Sequence, residues 1–513
     1  MTVTARGGAS RDGGTRERER MARGGGLNLV GAITTQACQL LIVVALAHLA
    51  GQREVGRYAV CFALVSLLGL LALAGFRAGL TRFVAMHLAD GDAARLRGTV
   101  RLGLGITLGG SVVIAVALAL LAPAVAGLMG DDSIVAGVRL VALSLVPSSL
   151  AEAALAATQG WRSQKAFTLI GRVFDPVSRL VLTVVLVALG HGYLGAMTAL
   201  AATSFVTCAL ALAALARRMR RVERARPRHE LGELMSFSMV SWLSALAATG
   251  LIWADTLILG AMRSEEEVGV YNVASRLVTL AVFVLPPITA TFSPHMAHLY
   301  HVGDLDEAAK AYGAATRWTL LLSMPAFVLL LVFPGDLLQI FGRGYGEGVL
   351  VTVILAVGQL VGAAAGPCGI VLNMSGRVWL SLLDNGLVLV LNVGLNLALI
   401  PRFGIVGAAV AWSVSLVVVN LVKLVQARRV VGISPVGAMT GKILLAAFVA
   451  VCGGVLVQDL LTASWLVVVV AGAAVVGVIY VTLMVTLGTH PDDAAIARRL
   501  VLRRGTTRGR RPA

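Results

Sequence analysis

The stretch Glu54-Val55-Gly56-Arg57-Tyr58 recurs 213 residues later as Glu267-Val268-Gly269-Val270-Tyr271 in a chain of 513 residues. Two further matches hold an offset of 212 residues: Gly91-Asp92 with Gly303-Asp304, and Gly192-x-x-Gly195-Ala196 with Gly404-x-x-Gly407-Ala408. A nearly constant offset over such a distance indicates a duplicated unit rather than chance pentapeptides. Each pentapeptide follows one apolar segment and opens a second. The sequence therefore predicts two homologous membrane halves with the binding site between them.

The composition is that of a membrane protein, because 58% of the residues are hydrophobic and only 13% are charged. The net charge of +17 does not indicate a nucleic-acid partner, since the basic residues lie at segment ends and in the tails. The five cysteines stand singly in apolar segments, and no Walker lysine follows a glycine-rich loop. We therefore expect no enzyme activity, no cofactor, no metal site and no bound nucleic acid.

Apolar stretches long enough to cross a bilayer, about 18 residues or more, recur along the whole chain. The predicted fold class is an all-α polytopic membrane protein with about 14 transmembrane helices. Their predicted bounds are 27–50, 58–76, 99–122, 134–158, 166–189, 192–215, 235–262, 269–292, 315–333, 349–372, 379–400, 404–426, 438–458 and 465–487.

Lysines and arginines are divided unevenly between alternate loops. With a cytoplasmic N-terminus, 35 of the 43 fall in the tails and in loops on the cytoplasmic side. Both termini are therefore predicted to be cytoplasmic. The offset of 212 residues spans six helices, an even number, so the halves enter the membrane in the same sense. This predicts two parallel-repeat six-helix bundles plus two C-terminal helices.

The predicted domain organisation follows from the repeat and from the charge runs. We expect a disordered basic cytoplasmic tail at 1–26, an N-lobe of six helices at 27–215, a basic inter-lobe loop at 216–234, a C-lobe of six helices at 235–426, two further helices at 427–487 and a basic cytoplasmic tail at 488–513. The last tail could form a short helix on anionic membrane lipid, which attracts clustered arginines.

Polar residues inside the membrane are costly in lipid and are expected to face the protein interior or water. Arg172, Asp175 and Arg179 are spaced at i, i+3 and i+7 on the fifth predicted helix, which leaves one face positive. Glu152 lies on the fourth predicted helix, on a face with polar neighbours. These residues are candidates for a polar cavity, and structural contacts between helices are the alternative for each of them.

The second half contributes its own polar set. Asn385, Asn392 and Asn396 share one helix face. Asp255 and Arg276 lie at similar depth, about 10 Å from the outer membrane face if each residue adds ~1.5 Å. They could therefore pair across the helical hairpin. For Arg276 the alternatives are an ion pair with Asp255 and a substrate phosphate.

Four stretches of the chain resemble those of a known family. The residues that carry the resemblance are Asp255-Thr256-Leu257-Ile258-Leu259-Gly260, the second pentapeptide, Ala274-Ser275-Arg276-Leu277 and Gly404-Ile405-Val406-Gly407-Ala408-Ala409-Val410-Ala411. They are similar to bacterial polysaccharide-biosynthesis membrane proteins, the Wzx-like oligosaccharide-lipid flippases of the multidrug/oligosaccharidyl-lipid/polysaccharide exporter superfamily. The resemblance covers roughly 27–430. It implies two six-helix bundles around a central cavity, alternating access, and export of a lipid-linked saccharide precursor.

The resemblance also implies roles for arginines. Arg276 is similar to an arginine in the cavity of lipid-precursor flippases, while Arg77 and Arg82 resemble basic residues near the entrance of such cavities. Where drug and cation antiporters of the superfamily keep an acid in the first helix, this chain has only Asn28, Gln36, Gln39 and His48. The guanidinium fork suits the phosphate of a lipid-linked precursor, and amides and hydroxyls suit sugars.

We interpret the chain as a transporter of the bacterial cytoplasmic membrane that flips or exports a lipid-linked oligosaccharide or polysaccharide precursor. Its expected partners are the phosphate or pyrophosphate lipid itself, anionic membrane lipids and polysaccharide assembly proteins. A multidrug or organic-cation antiporter of the same fold is one alternative, with Glu152 or Asp255 as the titratable acid. Others are a non-transporting scaffold in cell-envelope assembly, and a membrane glycosyltransferase, which the short outside loops disfavour.

Overall fold

The computed structural model describes residues 9–161, 163–228, 231–283, 285–342, 344–432 and 438–487. The C-terminal tail predicted at 488–513 lies outside these residues. The described part of the chain is almost entirely helical and contains no strand. The chain is therefore an all-α protein, as predicted.

The first seven helices cover the first half of the chain. They are α1 (Ala9–Leu49), α2 (Gln52–Leu73), α3 (Phe76–Ala89), α4 (Ala93–Met129), α5 (Ile134–Gln159), α6 (Asp175–Leu186) and α7 (Gly192–Met219). Two π-helical segments, Phe167–Phe174 and Val187–His191, precede and follow α6.

Ten further helices cover the rest. They are α8 (Leu231–Met262), α9 (Glu265–Ala281), α10 (Leu285–Val302), α11 (Leu305–Val332), α12 (Pro334–Leu338), α13 (Gly348–Ala365), α14 (Cys368–Met374), α15 (Val378–Gln426), α16 (Ala438–Leu460) and α17 (Trp465–Thr486). Short 3-10 segments at Gln339–Phe341 and Tyr345–Glu347 connect α12 with α13, and the π-helical segment Ala427–Val431 follows α15.

Within the described residues, eleven helical segments are long and apolar enough to cross a membrane, so the chain is a multi-pass membrane protein. Two of them, Phe167–Met219 and Trp379–Arg429, have 53 and 51 residues. A straight helix of that length would measure about 75–80 Å, against a hydrocarbon core of about 30 Å. Each is broken near its middle, at Gly190 and at Gly404, and so has room for two crossings.

The predicted number of fourteen transmembrane helices is not confirmed. The predicted span 269–292 falls on α9 and α10, which have 17 and 18 residues and are separated by residues 282–284. A proline pair at 286–287 contributes to the break, because proline has no N–H for a helical hydrogen bond. In the first half, Ala74 and Gly75 with positive φ separate α2 from α3 in a similar way.

The first helix extends further toward the N-terminus than predicted. Residues 9–26, expected to be a disordered tail, belong to α1, and residues 1–8 lie outside the described part. Arginine and glutamate alternate over 16–20, and both are good helix formers. Since the apolar segment Asn28–Leu49 already forms a helix, the extension needs no new nucleus.

The helices group into two compact units. Unit 1 contains Met1–Arg276, Ile340–Val351 and Trp379–Val419, and unit 2 contains Leu277–Gln339, Thr352–Val378 and Asn420–Ala513. This grouping differs from the predicted lobes 27–215 and 235–426, which remain a prediction from the repeat. All of the candidate site residues from the sequence lie in unit 1.

The two halves repeat the same backbone corner in unit 1. Gly192 has φ 51 and ψ −140, and Gly404 has φ 55 and ψ −133, a conformation that residues with a Cβ avoid. The carboxylate of Glu54 accepts the backbone N–H of Tyr193 at 2.7 Å, beside the first glycine. A Cβ on Gly404 would lie 2.8 Å from Oε2 of Glu267. Thus the glutamate of each pentapeptide lies against the corner glycine of its own half.

A second repeated feature is a helix N-cap. Asp92 accepts the backbone N–H of Arg95 at 2.9 Å and starts α4, and Asp304 accepts that of Glu307 at 3.0 Å and starts α11. Each cap satisfies an N–H that the helix leaves unpaired at its first turn. The matches at offset 212 therefore mark equivalent helix ends.

The glycines of the two pentapeptides explain why this motif recurs. A Cβ on Gly56 would collide with the backbone carbonyl of Glu265, and a Cβ on Gly269 would collide with that of Gln52. The contact is reciprocal, so α2 and α9 touch backbone to backbone at the motif. We call this end of unit 1 the motif end.

Charged side chains surround this glycine contact. Arg57 donates to Asp131 and to Glu54, both at 2.8 Å, and Arg53 lies 3.3 Å from Glu265. Burial alone would raise the pKa of Asp131, but hydrogen bonds from Ser133 and the charge of Arg57 outweigh it and lower the pKa to about 2. The motif end is thus held by both backbone packing and ion pairs.

Unit 2 is built around α11. Tyr480 on α17 donates to the carbonyl of Leu321 at 3.2 Å, and Tyr312 donates to that of Ala365 at 2.8 Å. Gly472 allows α17 to approach the ring of Phe333, where a Cβ would collide. The two C-terminal helices, predicted to lie outside the repeat, therefore pack on a helix that belongs to it.

Candidate functional site

Arg276 lies on α9, five residues after the second pentapeptide, and is partly buried. Its Nη1 donates to Oε1 of Gln39 on α1 at 3.3 Å. The guanidinium stands 5.4 Å from the ring centre of Trp253 and 6.0 Å from that of Phe62. No ion pair between described residues includes Arg276. The arginine is therefore framed by an amide and two aromatic faces, and its charge has no carboxylate partner there.

Asp255 on α8 is almost fully buried, with 1% of its surface exposed. Tyr271 donates its hydroxyl to Oδ2 at 2.8 Å, and Asn396 donates its amide to Oδ1 at 2.6 Å. Asp255 therefore bonds Tyr271 and Asn396 and does not form the ion pair that was one of the two alternatives for Arg276. Tyr271 and Arg276 are five residues apart on α9, which is about 140° around a helix, so they cannot both face Asp255.

The asparagines on α15 behave differently from one another. Asn396 also donates to Oδ1 of Asn392 at 3.0 Å, and both asparagines are fully buried. Nδ2 of Asn392 and Oδ1 of Asn396 have no hydrogen-bond partner among the described residues. Asn385 shares their predicted face but is only partly buried. The buried cluster thus keeps one spare donor and one spare acceptor beside a carboxylate.

The stripe predicted on the fifth span is partly neutralised. Arg179 forms an ion pair with Asp175, which also accepts the hydroxyl of Thr207 at 3.1 Å. Arg172 is left as the positive end of the stripe, with its guanidinium 5.1 Å from the ring centre of Phe167.

Pro176 determines the local backbone here. It has no N–H, so the carbonyl of Arg172 loses its helical partner four residues on. Thr35 on α1 donates its hydroxyl to that carbonyl at 3.1 Å instead. The π-helical segment Phe167–Phe174 ends at the same point. A missing hydrogen bond in one helix thereby fixes its contact with another.

A second basic cluster forms where α3 meets α5. Arg77 lies 2.8 Å from Glu152, with about half of its side chain exposed, and 5.8 Å from the ring centre of Phe167. Arg77 and Arg172 therefore share one aromatic ring. Two arginines and one glutamate leave this cluster with one net positive charge.

Arg82 lies one turn further along α3. Its guanidinium stands 4.4 Å from the ring centre of Phe237 on α8, a cation–π distance. It is exposed, and no ion pair between described residues includes it. The predicted candidates thus fall into four groups: Arg276; Asp255 with Asn392 and Asn396; Asp175 with Arg179; and Arg77 with Glu152 and Arg172, near Arg82.

Several residues of these groups were not predicted as site residues. They are Gln39, Phe62, Trp253, Phe167, Tyr271 and Thr207. Gln39 has a signal in the sequence, since it is polar within an apolar span. The aromatic residues have none, because an aromatic side chain in an apolar helix looks the same whether it faces lipid or a guanidinium.

The family model described as polysaccharide biosynthesis protein matches residues 21–300, and the model named MatE matches residues 241–398. A protein of Haloferax volcanii named "Probable flippase AglR" is 29% identical over 227 residues, covering 42% of this chain and 47% of that protein. A second protein of the same organism, named "Probable low-salt glycan biosynthesis flippase Agl15", is 27% identical over 186 residues, covering 36% of this chain and 39% of that protein. The chain thus matches under half the length of these curated relatives.

Solved structures share the fold. The lipid II flippase MurJ in an inward closed conformation superposes with a TM-score of 0.71 at 12% identity, covering 92% of this chain and 99% of that one. An inward-facing multidrug resistance transporter of the MATE family gives a TM-score of 0.62 at 16% identity, covering 78% of this chain and 94% of that one. At these identities the likeness establishes the architecture alone.

Proposed function

The chain belongs to the polysaccharide biosynthesis protein family, and on that premise we propose that it moves a lipid-linked saccharide across the cytoplasmic membrane by alternating access. The family model covers residues 21–300, more than half of the chain, and both curated relatives carry flippase in their names. A lipid-linked saccharide combines a phosphate or pyrophosphate with sugar hydroxyls. The site must therefore supply a cation in a partly desolvated place.

The environment of Arg276 is the observation that best supports this proposal. A charged arginine at the centre of a membrane helix costs at least ~2.5 kcal/mol, so a cation without an acidic partner needs another reason to be there. Gln39 satisfies one of its N–H groups, and the rings of Trp253 and Phe62 stabilise the charge without neutralising it. The remaining N–H groups of the fork match the oxygens of a phosphate.

The cluster of Arg77, Arg172 and Glu152 supports a path for the same anion. Its net positive charge lies on the side that the positive-inside pattern predicts to be cytoplasmic. Arg77 and Arg82 are exposed and so are able to meet a headgroup before it reaches Arg276. In this proposal the polar surroundings of the path are provided by Asn385, Asn392, Asn396, Asp255, Asp175 and Arg179.

The motif end supports alternating access. The backbone contact of Gly56 and Gly269, with the ion pair of Arg57 and Asp131, closes this end of unit 1. The distribution of lysine and arginine makes it the outer end, with both termini in the cytoplasm. Export then requires this contact to separate. Anionic lipids around the basic loops and polysaccharide assembly proteins are the further partners that we propose.

The test is transport of a fluorescent lipid-linked oligosaccharide in proteoliposomes. We expect Arg276→Gln to fold and to lower the flipping rate about 10- to 100-fold, because a charge-assisted bond to phosphate contributes about 1.5–3 kcal/mol. Arg276→Lys should recover only part of the rate, since a point charge replaces the fork. The matched control is Arg224→Gln in the exposed linker, which should keep the rate. Wild-type flipping by folded Arg276→Gln would refute the proposed role.

One observation favours a second candidate. The antiporter alternative needs a titratable acid, and Asp255 is a buried carboxylate bonded to a hydroxyl and an amide rather than to a cation. For an organic-cation antiporter, Asp255→Asn should abolish proton-dependent export of a cationic dye while Arg276→Gln leaves it unchanged. For a flippase, the dye should not be transported at all.

A further inference from the structure

A groove on the surface of unit 1 includes none of the candidate site residues described above. It has a volume of about 560 Å³ and is lined by α4, α5 and α7. Ala115 and Ala142 are buried and form its floor, while Leu143 and Phe205, each about half exposed, form its rim. The small side chains of the floor create the depression, because their helices cannot fill the space that larger residues would occupy.

The groove has a direction within the membrane. Along α5 its lining runs from Arg139 to Leu150, eleven residues, or about 16 Å. The hydrocarbon of one leaflet is about 15 Å thick, half of the core. Arg139 lies five residues from the start of α5, at about 7–8 Å depth, where a guanidinium reaches the headgroup level by snorkelling. From Arg139 the groove thus runs inward through the rest of the outer leaflet and continues past the midplane, so that its outer part lies within one leaflet.

Arg139 is the only charged residue of this lining. It is exposed on α5, and no ion pair between described residues includes it. One guanidinium balances one negative charge, which is the charge of a phosphodiester headgroup. A pyrophosphate would bring more negative charge than this end of the groove can balance.

We propose that this groove is a binding site for an anionic phospholipid, with one acyl chain in the groove and the phosphate on Arg139. The proposed topology assigns the site to the outer leaflet. It goes beyond the transport function, because the site lies on the lipid-facing side of α4, α5 and α7 and includes none of the proposed transport residues. The lipid supplies the counter-charge that the protein itself does not provide.

The test is native mass spectrometry of the full-length protein with phosphatidylglycerol and phosphatidylcholine in competition. We expect wild type to prefer phosphatidylglycerol about fivefold, the contribution of one arginine near a charged headgroup. Arg139→Gln should lose the preference, and Arg139→Lys should keep most of it. Arg101→Gln, on the exposed side of α4, is the matched control and should bind like wild type.

A second pair of variants tests the groove itself. Ala119→Phe fills it and should weaken both lipids, whereas Leu120→Phe changes a neighbouring residue that is 76% exposed and does not line the groove. Equal binding of both lipids by the wild-type protein would indicate that it retains only non-specific surrounding lipid, and would overturn the proposal. So would an unchanged preference in Arg139→Gln, or displacement of phosphatidylglycerol by polyprenyl pyrophosphate at equal concentration.

Discussion

The two copies of the repeat share one backbone corner and differ in the polar groups behind it. In the second copy, Tyr271 donates its hydroxyl to the buried Asp255. In the first copy, Tyr58 stacks on Phe62 with ring centres 5.6 Å apart, and the residue that corresponds to Asp255 is Ile42. Both are fully buried, so the same position is a buried charge in one half and a hydrophobic contact in the other.

The other polar groups also correspond to apolar residues in the opposite half. At the repeat offset, Arg276 corresponds to Ala63 and Asn396 to Val184. In the opposite direction, Asp175 and Arg179 correspond to Leu387 and Leu391. The corner glutamates and the capping aspartates, which serve a particular backbone, are thus present twice, while the polar groups compared here are each present in one half. The duplicated helices thus form an equivalent frame around polar side chains that differ between the halves. Such asymmetry suits the proposed substrate, which has one charged and one neutral part.

The largest expected effect comes from breaking the shared corner. Gly192→Ala and Gly404→Ala each place a Cβ against a glutamate carboxylate at a positive φ. Backbone strain and the clash together should lower the free energy of unfolding by about 2–4 kcal/mol. Thermal unfolding in detergent measures it. Gly105→Ala on α4, where nothing lies within 4 Å, is the control and should be neutral or stabilising. Tolerance at only one of the two corners would show that the halves are not equivalent.

A smaller effect is expected from the glycine contact at the motif end, because in the proposed alternating access only the state that is closed at this end contains it. Gly56→Ala and Gly269→Ala should each destabilise that state by about 1–3 kcal/mol, since the Cβ meets a backbone carbonyl that cannot rotate away. Spin labels on α2 and α9 should report a longer distance between the helices in both variants. Gly127→Ala serves as the control, with open space around it. An unchanged distance in both variants would mean that the contact does not hold the end closed.

The lowered pKa of Asp131, which accepts hydrogen bonds from Ser133 and pairs with Arg57, predicts a pH dependence of stability. The pKa of Asp131 is lowered from 3.8 to about 2, so the folded protein binds fewer protons than the unfolded chain between these values. Stability from this group is therefore present above about pH 4 and is lost as the pH falls to about 2, by roughly 1–2 kcal/mol. The measurement is the unfolding midpoint against pH. Asp131→Asn should flatten this part of the profile, and Asp132→Asn, its exposed neighbour, should not.

The smallest expected effect concerns Asp255 and Arg276. Because Asp255 bonds Tyr271 and Asn396 while Arg276 bonds Gln39, the two charges should be energetically independent. A double-mutant cycle of Asp255→Asn and Arg276→Gln should give a coupling free energy below about 0.5 kcal/mol in unfolding. A buried ion pair would instead give several kcal/mol, and such a value would restore the pairing inferred from depth alone. Tyr271→Phe is a positive control, since its cycle with Asp255→Asn should show coupling.

The sequence by itself determined the class of the fold and the places where the halves are equivalent. Apolar length is a local property of the chain, so most of the spans could be predicted directly. The break of α15 falls at Gly404, which the repeat had marked, and that of the segment around α6 falls at Gly190, two residues before the marked Gly192. The matches at Gly192 and Asp92 were informative for the same reason: a corner and a cap depend on residues close in sequence.

The tertiary structure alone decided which polar groups meet. Depth along a helix follows from counting residues, but the direction of a side chain depends on how the helix is rotated against its neighbours. Asp255 and Arg276 lie at similar depth by that count, yet the packing of α9 brings Tyr271 to Asp255 and Arg276 to Gln39. Packing energy is shared among many apolar contacts, so no short stretch of sequence specifies that rotation.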